Sequence, residues 1–440
     1  MISISKESNP NYLCKIVQIN EIKPHPNADR LNITTIEFQD VIIGKNLSEG
    51  DVVVYFPLEC KINEDFLSFT NSFRDKTKNI DPEKVGFFEE NRRVRAMRLR
   101  GEKSEGYVIP ISELEGFTGQ TGLSKYVGES FDTINNVLLL EKYVVKSKTV
   151  QEPSGGKKPK FNRIIENQFQ FHNDTENFRR NTDKIKPQDV ISITYKSHGS
   201  SGIMANVMVK KKLTWFAKTL KWLGIDVVDK EYDILIASRR VIKNKFIQDP
   251  KANNHFYSSD IWTHVVDKFN LRKIVPKGFT LYYEILGYTP EGGWIQKDYP
   301  YGNPVGNCSI EVYRITSTNS DGFVMELSTS EIGEFCKKVG LTSSHLFFQG
   351  RAIDWLLEQG YEDRSWDDGE WEETFLKALE TKYTEKDCFK HPNSKVPEEG
   401  IVIRKEGLFS YEAYKIKSFR FLEKETKELD KGESDIESEN

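Results

Sequence analysis

Apolar positions in the first third of the chain recur in short runs separated by turn residues. Residues 13–19, 31–38, 41–43 and 52–56 are rich in Val, Ile, Tyr and Phe, the types that suit a pleated, half-buried surface. Gly44 and Gly50-Asp51 supply turn chemistry between them,. Strands at this spacing predict a small β-barrel over residues 1–140,. The stretch 150–161, with Pro153, Gly155, Gly156 and Pro159 among lysines, reads as a linker or mobile loop,. Beyond it strands and helices intermix, and apolar residues take helical spacing over 330–339, 352–359 and 371–383,. From Glu423 onward charge dominates without apolar periodicity, which predicts a frayed acidic tail,. The fold class expected is α+β in three parts: 1–140, 141–424, and a disordered 425–440.

Composition narrows this picture. A chain of 440 residues with 37% hydrophobic and 30% charged positions is a folded protein of more than one domain,. Its net charge of −4 excludes a polycation, so a nucleic-acid surface has to be a local patch,. The five cysteines are scattered and form no C-x-x-C pair, which argues against a zinc site or a disulfide framework,. A reducing compartment follows as the expectation, cytoplasmic, or nuclear in a eukaryote. No apolar run approaches the ~20 residues of a membrane span. A monomer without a membrane partner is expected.

The candidate chemistry begins at Tyr195-Lys196-Ser197-His198-Gly199-Ser200-Ser201. A lysine is a poor nucleophile while protonated, and nearby positive charge or burial frees its amine. Lys415 and Lys417 alternate around Ile416 on a predicted strand, which can aim both ammonium groups into one cleft,. Gly199 suits a tight turn where backbone must approach a ligand, and His198 sits beside it. Glu284 interrupts the apolar strand Leu281–Gly287, and Glu399 opens another at Gly400-Ile401-Val402. Two such carboxylates can hold ribose hydroxyls and a Mg²⁺ shared with phosphates. Tyr313 offers a ring for a base, and Arg239 a clamp for phosphate or ribose. Taken singly, each of these is more commonly a solvated cap, an exposed face or plain core; their joint order carries the reading.

A second cationic feature lies earlier. Arg93, Arg95, Arg98 and Arg100 fall within one short stretch. They read either as a phosphate track for nucleic acid or as an edge strand kept apart by charge. Upstream, His25-Pro26-Asn27-Ala28-Asp29-Arg30-Leu31 resembles the signature of the tRNA-binding OB module of some aminoacyl-tRNA synthetases. The alternative is a Pro-framed loop whose Asn and Asp satisfy backbone groups.

The ordered set from Lys196 to Lys417 resembles the covalent nucleotidyltransferase superfamily of ATP-dependent polynucleotide ligases and mRNA capping enzymes. By that resemblance Lys196 is the nucleophile, Arg239 the arginine of the next motif, and Glu284 and Glu399 its acids. Tyr313 is then the stacking aromatic, and Lys415 and Lys417 the final lysine pair. His198 is similar to RNA ligases that seal nicks. An OB module placed before such a domain resembles the RNA-ligase group of the Deinococcus type, as does the segment 169–176. In this reading Arg179 and Arg180 touch the leaving phosphates. The resemblance implies an N-terminal OB-like barrel, then a nucleotidyltransferase domain of antiparallel sheets with flanking helices. It also implies ATP, Mg²⁺ or Mn²⁺, and RNA as nicked duplex or broken ends, with a place in RNA repair. Two departures stand out: residues 213–231 lengthen the path to Arg239, and Arg314 follows Tyr313 where many relatives carry Asp. DNA ligase, guanylyltransferase and a catalytically inactive OB-containing RNA-binding protein are the rival readings.

Overall fold

The computed structural model describes residues 2–6, 8–144, 163–172, 174–243, 257, 259–391, 395–407 and 409–431. The expected linker at 150–161 and the end of the expected tail lie outside these. The chain divides into two compact units. One gathers the N-terminal part with Glu176–Thr182 and the last helix, and the other is built around Asp183–Ser418.

In the first unit the strand Val52–Phe56 lies antiparallel between Cys14–Gln18 and Tyr107–Pro110. Leu31–Ile36 pairs with Gln39–Gly44. Both faces of the central strand are covered, because Val54 and Phe56 enter one apolar cluster while Val53 and Tyr55 enter another. That period of two explains the unbroken apolar run Val-Val-Val-Tyr-Phe. The His25 loop folds on the hairpin Met97–Leu99/Glu102–Ser104: the His25 ring Nε2 lies 3.1 Å from the Leu99 carbonyl, and the Asn27 amide donates to the Arg100 carbonyl.

The predicted tail departs from expectation. Phe419–Asp430 is an α-helix, with Phe419, Phe421, Leu422 and Glu425 buried. Phe419 and Leu422 join the first unit's core with Phe56 and Phe66. Apolar anchoring is confined to the first turn of this helix, so its charged remainder masked the periodicity. The same helix changes the meaning of the arginine run. Arg93 is buried and donates to the Thr426 carbonyl at 2.8 Å and to Asp430 at 2.9 Å. Arg95 also reaches Asp430 at 3.4 Å, and Arg98 lies over the Phe419 ring and 3.8 Å from Glu423. A continuous phosphate track through Arg93 is therefore corrected: a buried guanidinium needs a fixed partner, and the helix supplies it. Arg98 and Arg100 remain exposed.

The second unit holds two antiparallel sheets. In one, Gly400–Lys405 lies between Ala413–Lys417 and Val190–Lys196, and Leu346–Arg351 flanks the latter. In the other the order is Lys230–Ser238, Ser200–Lys210, Phe279–Gly287, Cys308–Thr318, Val324–Glu326. The helices expected from periodicity form at Thr329–Val339, Ala352–Glu358 and Asp368–Tyr383. The first is set by a capping box of Ser328 and Glu331,. Among the described residues no helix is long and apolar enough to cross a membrane.

Candidate functional site

The lysine string is the joint between the two sheets. One strand ends at Lys196, the next begins at Ser200, and only Ser197-His198-Gly199 separates them. On the first sheet, alternation sorts side chains to two faces. Ile191, Ile193, Tyr195, Ile401, Ile403 and Ile416 are buried on one face. Ser192, Thr194, Lys196, Val402, Arg404 and Lys415 line a cavity on the other. Register then sets the lysines side by side: Lys196 pairs with Gly400, Gly400 with Lys417, and Val402 with Lys415.

The cavity contains about 960 Å³ of empty space, its open mouth included. The second sheet supplies Ser201, Glu284 and Tyr313 to its lining. Ser201 and Glu284 are cross-strand partners, and the Ser201 hydroxyl lies 3.2 Å from the Tyr313 hydroxyl. Glu284 therefore faces inward because strand alternation continues the face that carries Tyr282 and Ser201.

Glu399 sits at the centre of the charge arrangement. It is buried, with Lys196 Nζ at 2.6 Å, Lys417 Nζ at 3.9 Å and His198 Nδ1 at 3.7 Å. One carboxylate thus stands among two ammonium groups and a histidine ring. The position is enforced by Gly400: its φ is 146°, and a Cβ there would lie 1.9 Å from the Ile416 carbonyl oxygen. Gly199 is required for a related reason, since a Cβ would stand 2.3 Å from the Ile285 carbonyl. The close approach is thus to the neighbouring strand, where the sequence reading expected a ligand. His198 is held by its backbone N–H, which donates to the Tyr301 hydroxyl at 2.7 Å.

Arg239 lines the cavity and donates through Nε to Asp174 at 3.1 Å. His172, Thr175 and Tyr411 stand in the same wall. The His172 ring meets Tyr313 and Tyr411 edge-on at 5.0 and 5.4 Å. Burial, followed by the charges of Arg314 and Arg239, pushes its pKa well below the ordinary histidine value,. It is a neutral ring at the working pH. Arg314 grips Glu326 through Nε at 3.0 Å and is stacked between Tyr282 and Tyr411. Arg404 reaches the Leu327 carbonyl at 2.6 Å. Burial also raises Tyr313 above the ordinary phenol value, so it stays a neutral ring.

Five sequence candidates therefore meet at the cavity itself: Lys196, Arg239, Glu284, Tyr313 and Lys415. Glu399, Lys417 and His198 stand directly behind Lys196. Arg179 and Arg180 do not appear in the lining. They belong to the first unit, where Arg179 pairs with Glu105 at 3.2 Å and Arg180 with Glu37 at 2.8 Å. For a metal, Glu284 and Glu399 are the carboxylates present. Among the described residues no group of three or more His, Cys, Asp or Glu side chains converges as a metal site.

Several groups escaped the sequence reading. Glu311 is the cross-strand partner of Glu284, accepts from the Ser197 hydroxyl at 2.7 Å, and takes Lys390 Nζ at 2.5 Å. Tyr411 and Arg404 carried one available signal, a Tyr and an Arg bracketing a loop beside a candidate strand. Lys390 carried none.

Comparisons with known proteins now bear on this geometry. A family model described as an OB-fold domain matches residues 13–111. No curated protein sequence matches the chain. Among solved structures, a Naegleria gruberi RNA ligase mutant with AMP and Mn is similar over 94% of this chain and 98% of its own, with a TM-score of 0.56 at 14% identity. A mutant of that ligase with ATP and Mn gives 0.54 at 15% identity, covering 94% and 98%. The same ligase with PPi gives 0.54 at 15%, covering 94% and 99%. At these identities the likeness is one of fold, an OB-fold module followed by a sheet-rich α+β domain.

Proposed function

We propose that this chain is an ATP-dependent RNA ligase that joins a 3′-hydroxyl to a 5′-phosphate through a nucleotide carried on Lys196. The observation that carries the reading is Lys196 Nζ at the cavity wall, 2.6 Å from buried Glu399 and in register with Lys417. The similarity of the fold to an RNA ligase solved with ATP, AMP and PPi supports it.

In this proposal Glu399 first holds the Lys196 ammonium and then takes its proton, which frees the amine lone pair. Nζ attacks the α-phosphorus of ATP, a P–N bond forms, and the α–β P–O bond breaks to release pyrophosphate. A 5′-phosphate oxygen of RNA then attacks the same phosphorus, and Lys196 leaves with a proton. Finally the 3′-hydroxyl oxygen attacks the activated 5′-phosphate, the anhydride P–O bond breaks, and AMP departs with the hydroxyl proton. Lys415 and Lys417 balance oxygen charge at each step, and Tyr313 with neutral His172 walls the base. A Mg²⁺ or Mn²⁺ fits the donor set, since such ions use one or two carboxylates together with phosphates. Glu284 is the carboxylate in the lining. Glu399 would be a second ligand once it has passed its proton to solvent. The ion would neutralise the crowded phosphate oxygens.

The test is incubation with α-labelled ATP followed by denaturing electrophoresis. Wild type acquires label and Lys196→Ala does not; a labelled Lys196→Ala band would end the assignment. Parallel incubation with labelled GTP separates the capping reading. End-labelled nicked duplexes with RNA or DNA on each side of the nick separate the DNA-ligase reading.

A further inference from the structure

The segment that lengthens the path between Lys196 and Arg239 folds into a feature the nucleotide site does not use. The strands Ser200–Lys210 and Lys230–Ser238 form one long hairpin, paired from Gly202/Ser238 to Lys210/Lys230. One end of the hairpin carries Ser201 and Arg239 into the cavity. The other end, roughly 27 Å along at ~3.4 Å per residue, carries the helix Trp215–Trp222, capped by Thr214. No residue of this helix is buried. Trp215, Phe216 and Trp222 are exposed by 81, 65 and 83%. Exposed aromatics of this size are unusual on a surface unless something covers them.

Charge indicates what does. Residues 210–230 hold six lysines against two aspartates, on a chain whose net charge is −4. Lys218 is three residues after Trp215 and four before Trp222, so all three share one column of the helix,. Trp215 and Trp222 stand about 10.5 Å apart along the axis, with Lys218 between them in the column,. Lys221 is engaged by Asp229, whereas Lys218 is exposed. A nucleic-acid strand wants this alternation, because bases stack on the rings while phosphate meets the lysine.

We propose that the helix Trp215–Trp222 is a contact surface for unpaired RNA flanking the ends to be joined. The proposal rests on the RNA-ligase reading for its partner, but the helix plays no part in nucleotide transfer.

Fluorescence anisotropy with the full chain tests it, using a labelled RNA with an unpaired overhang and a blunt duplex of equal length. Trp215→Ser/Trp222→Ser is expected to weaken binding to the overhang RNA about tenfold or more, with little change for the blunt duplex. Lys218→Gln is expected to lower the slope of log Kd against log salt by about one. Both variants should take label from α-labelled ATP as wild type does, which also shows that they fold. Unchanged overhang affinity in the tryptophan variant would overturn the proposal. So would flotation of wild type with phosphatidylglycerol vesicles, or its dimerisation, lost in that variant while RNA affinity stays the same. A wild type that binds overhang RNA through this helix yet takes no label would sink the ligase reading and leave the RNA contact standing.

Discussion

The arginine run and the lysine joint are two cationic clusters matched in different ways. In the arginine run, carboxylates and carbonyls meet the cations locally: Arg93 and Arg95 share Asp430, and Arg98 faces Glu423. At the lysine joint one buried carboxylate, Glu399, serves Lys196 and Lys417 together, while Lys415 looks into the cavity. Positive charge that is matched by carboxylates on the same unit holds a helix in place. Cations and carboxylates gathered around an open cavity stand where an anionic ligand can reach them,.

The largest effect should come from keeping that charge while removing its chemistry. Lys196→Arg retains a cation for Glu399 but presents a guanidinium that is not a nucleophile. Adenylate attachment should fall by at least about 10³-fold with the thermal midpoint nearly unchanged. Label retained by this variant would mean that the cluster binds the nucleotide without reacting with it.

Glu399→Gln attacks the other side of the balance. It leaves Lys196 and Lys417 close together without their common anion, and removing one partner of a buried pair costs about 3–5 kcal/mol. Labelling should drop about 10²-fold and the thermal midpoint should fall with it. A variant with normal labelling would show that Glu399 only packs.

Arg93→Ala tests the matched region. With Asp430 and the Thr426 carbonyl deprived of their buried donor, amide exchange over 419–430 should rise, at a cost of about 1–3 kcal/mol. The exposed Arg100→Ala should alter exchange there little. Loss of RNA affinity in Arg100→Ala without loss of stability would restore a phosphate-contact role to the exposed end of the run.

These contrasts follow what a sequence can show. The alternation Lys415-Ile416-Lys417 is local, so the facing of its side chains could be read directly from a period of two. The same holds for Glu284 within its apolar strand, and for the capped helix beginning at Thr329. Arg93 and Asp430 lie 337 residues apart, and Arg239 and Asp174 lie 65 apart. No local pattern announces such pairs. The helix Phe419–Asp430 was hidden because its apolar contacts lie at its start, and the rest of its surface is charged. Lys390 and Glu311, 79 apart, became visible only once Glu284 had a cross-strand neighbour. Short-range periodicity gave the strands their faces; long-range pairing decided which charges meet.

The smallest expected effect concerns a neutral ring in the cavity wall. His172 shares the cavity wall with Arg239, and its pKa is lowered first by burial, then by Arg314 and Arg239; Lys196 adds to this and Asp174 opposes it. In the unfolded chain the ring titrates near the ordinary value of about 6.5. Between its depressed folded value and about 6.5 the unfolded chain binds a proton that the folded protein refuses. Stability therefore falls as pH drops through that window, and its contribution is level above about pH 7. His172→Gln, uncharged throughout, should lie slightly below wild type at pH ~8, because its ring contacts with Tyr313 and Tyr411 are lost. It should lose less stability than wild type on acidification from pH ~7 to ~5. Thermal midpoints across that range read the difference. Parallel curves for the two proteins would mean that neither burial nor the neighbouring guanidinium groups hold His172 neutral.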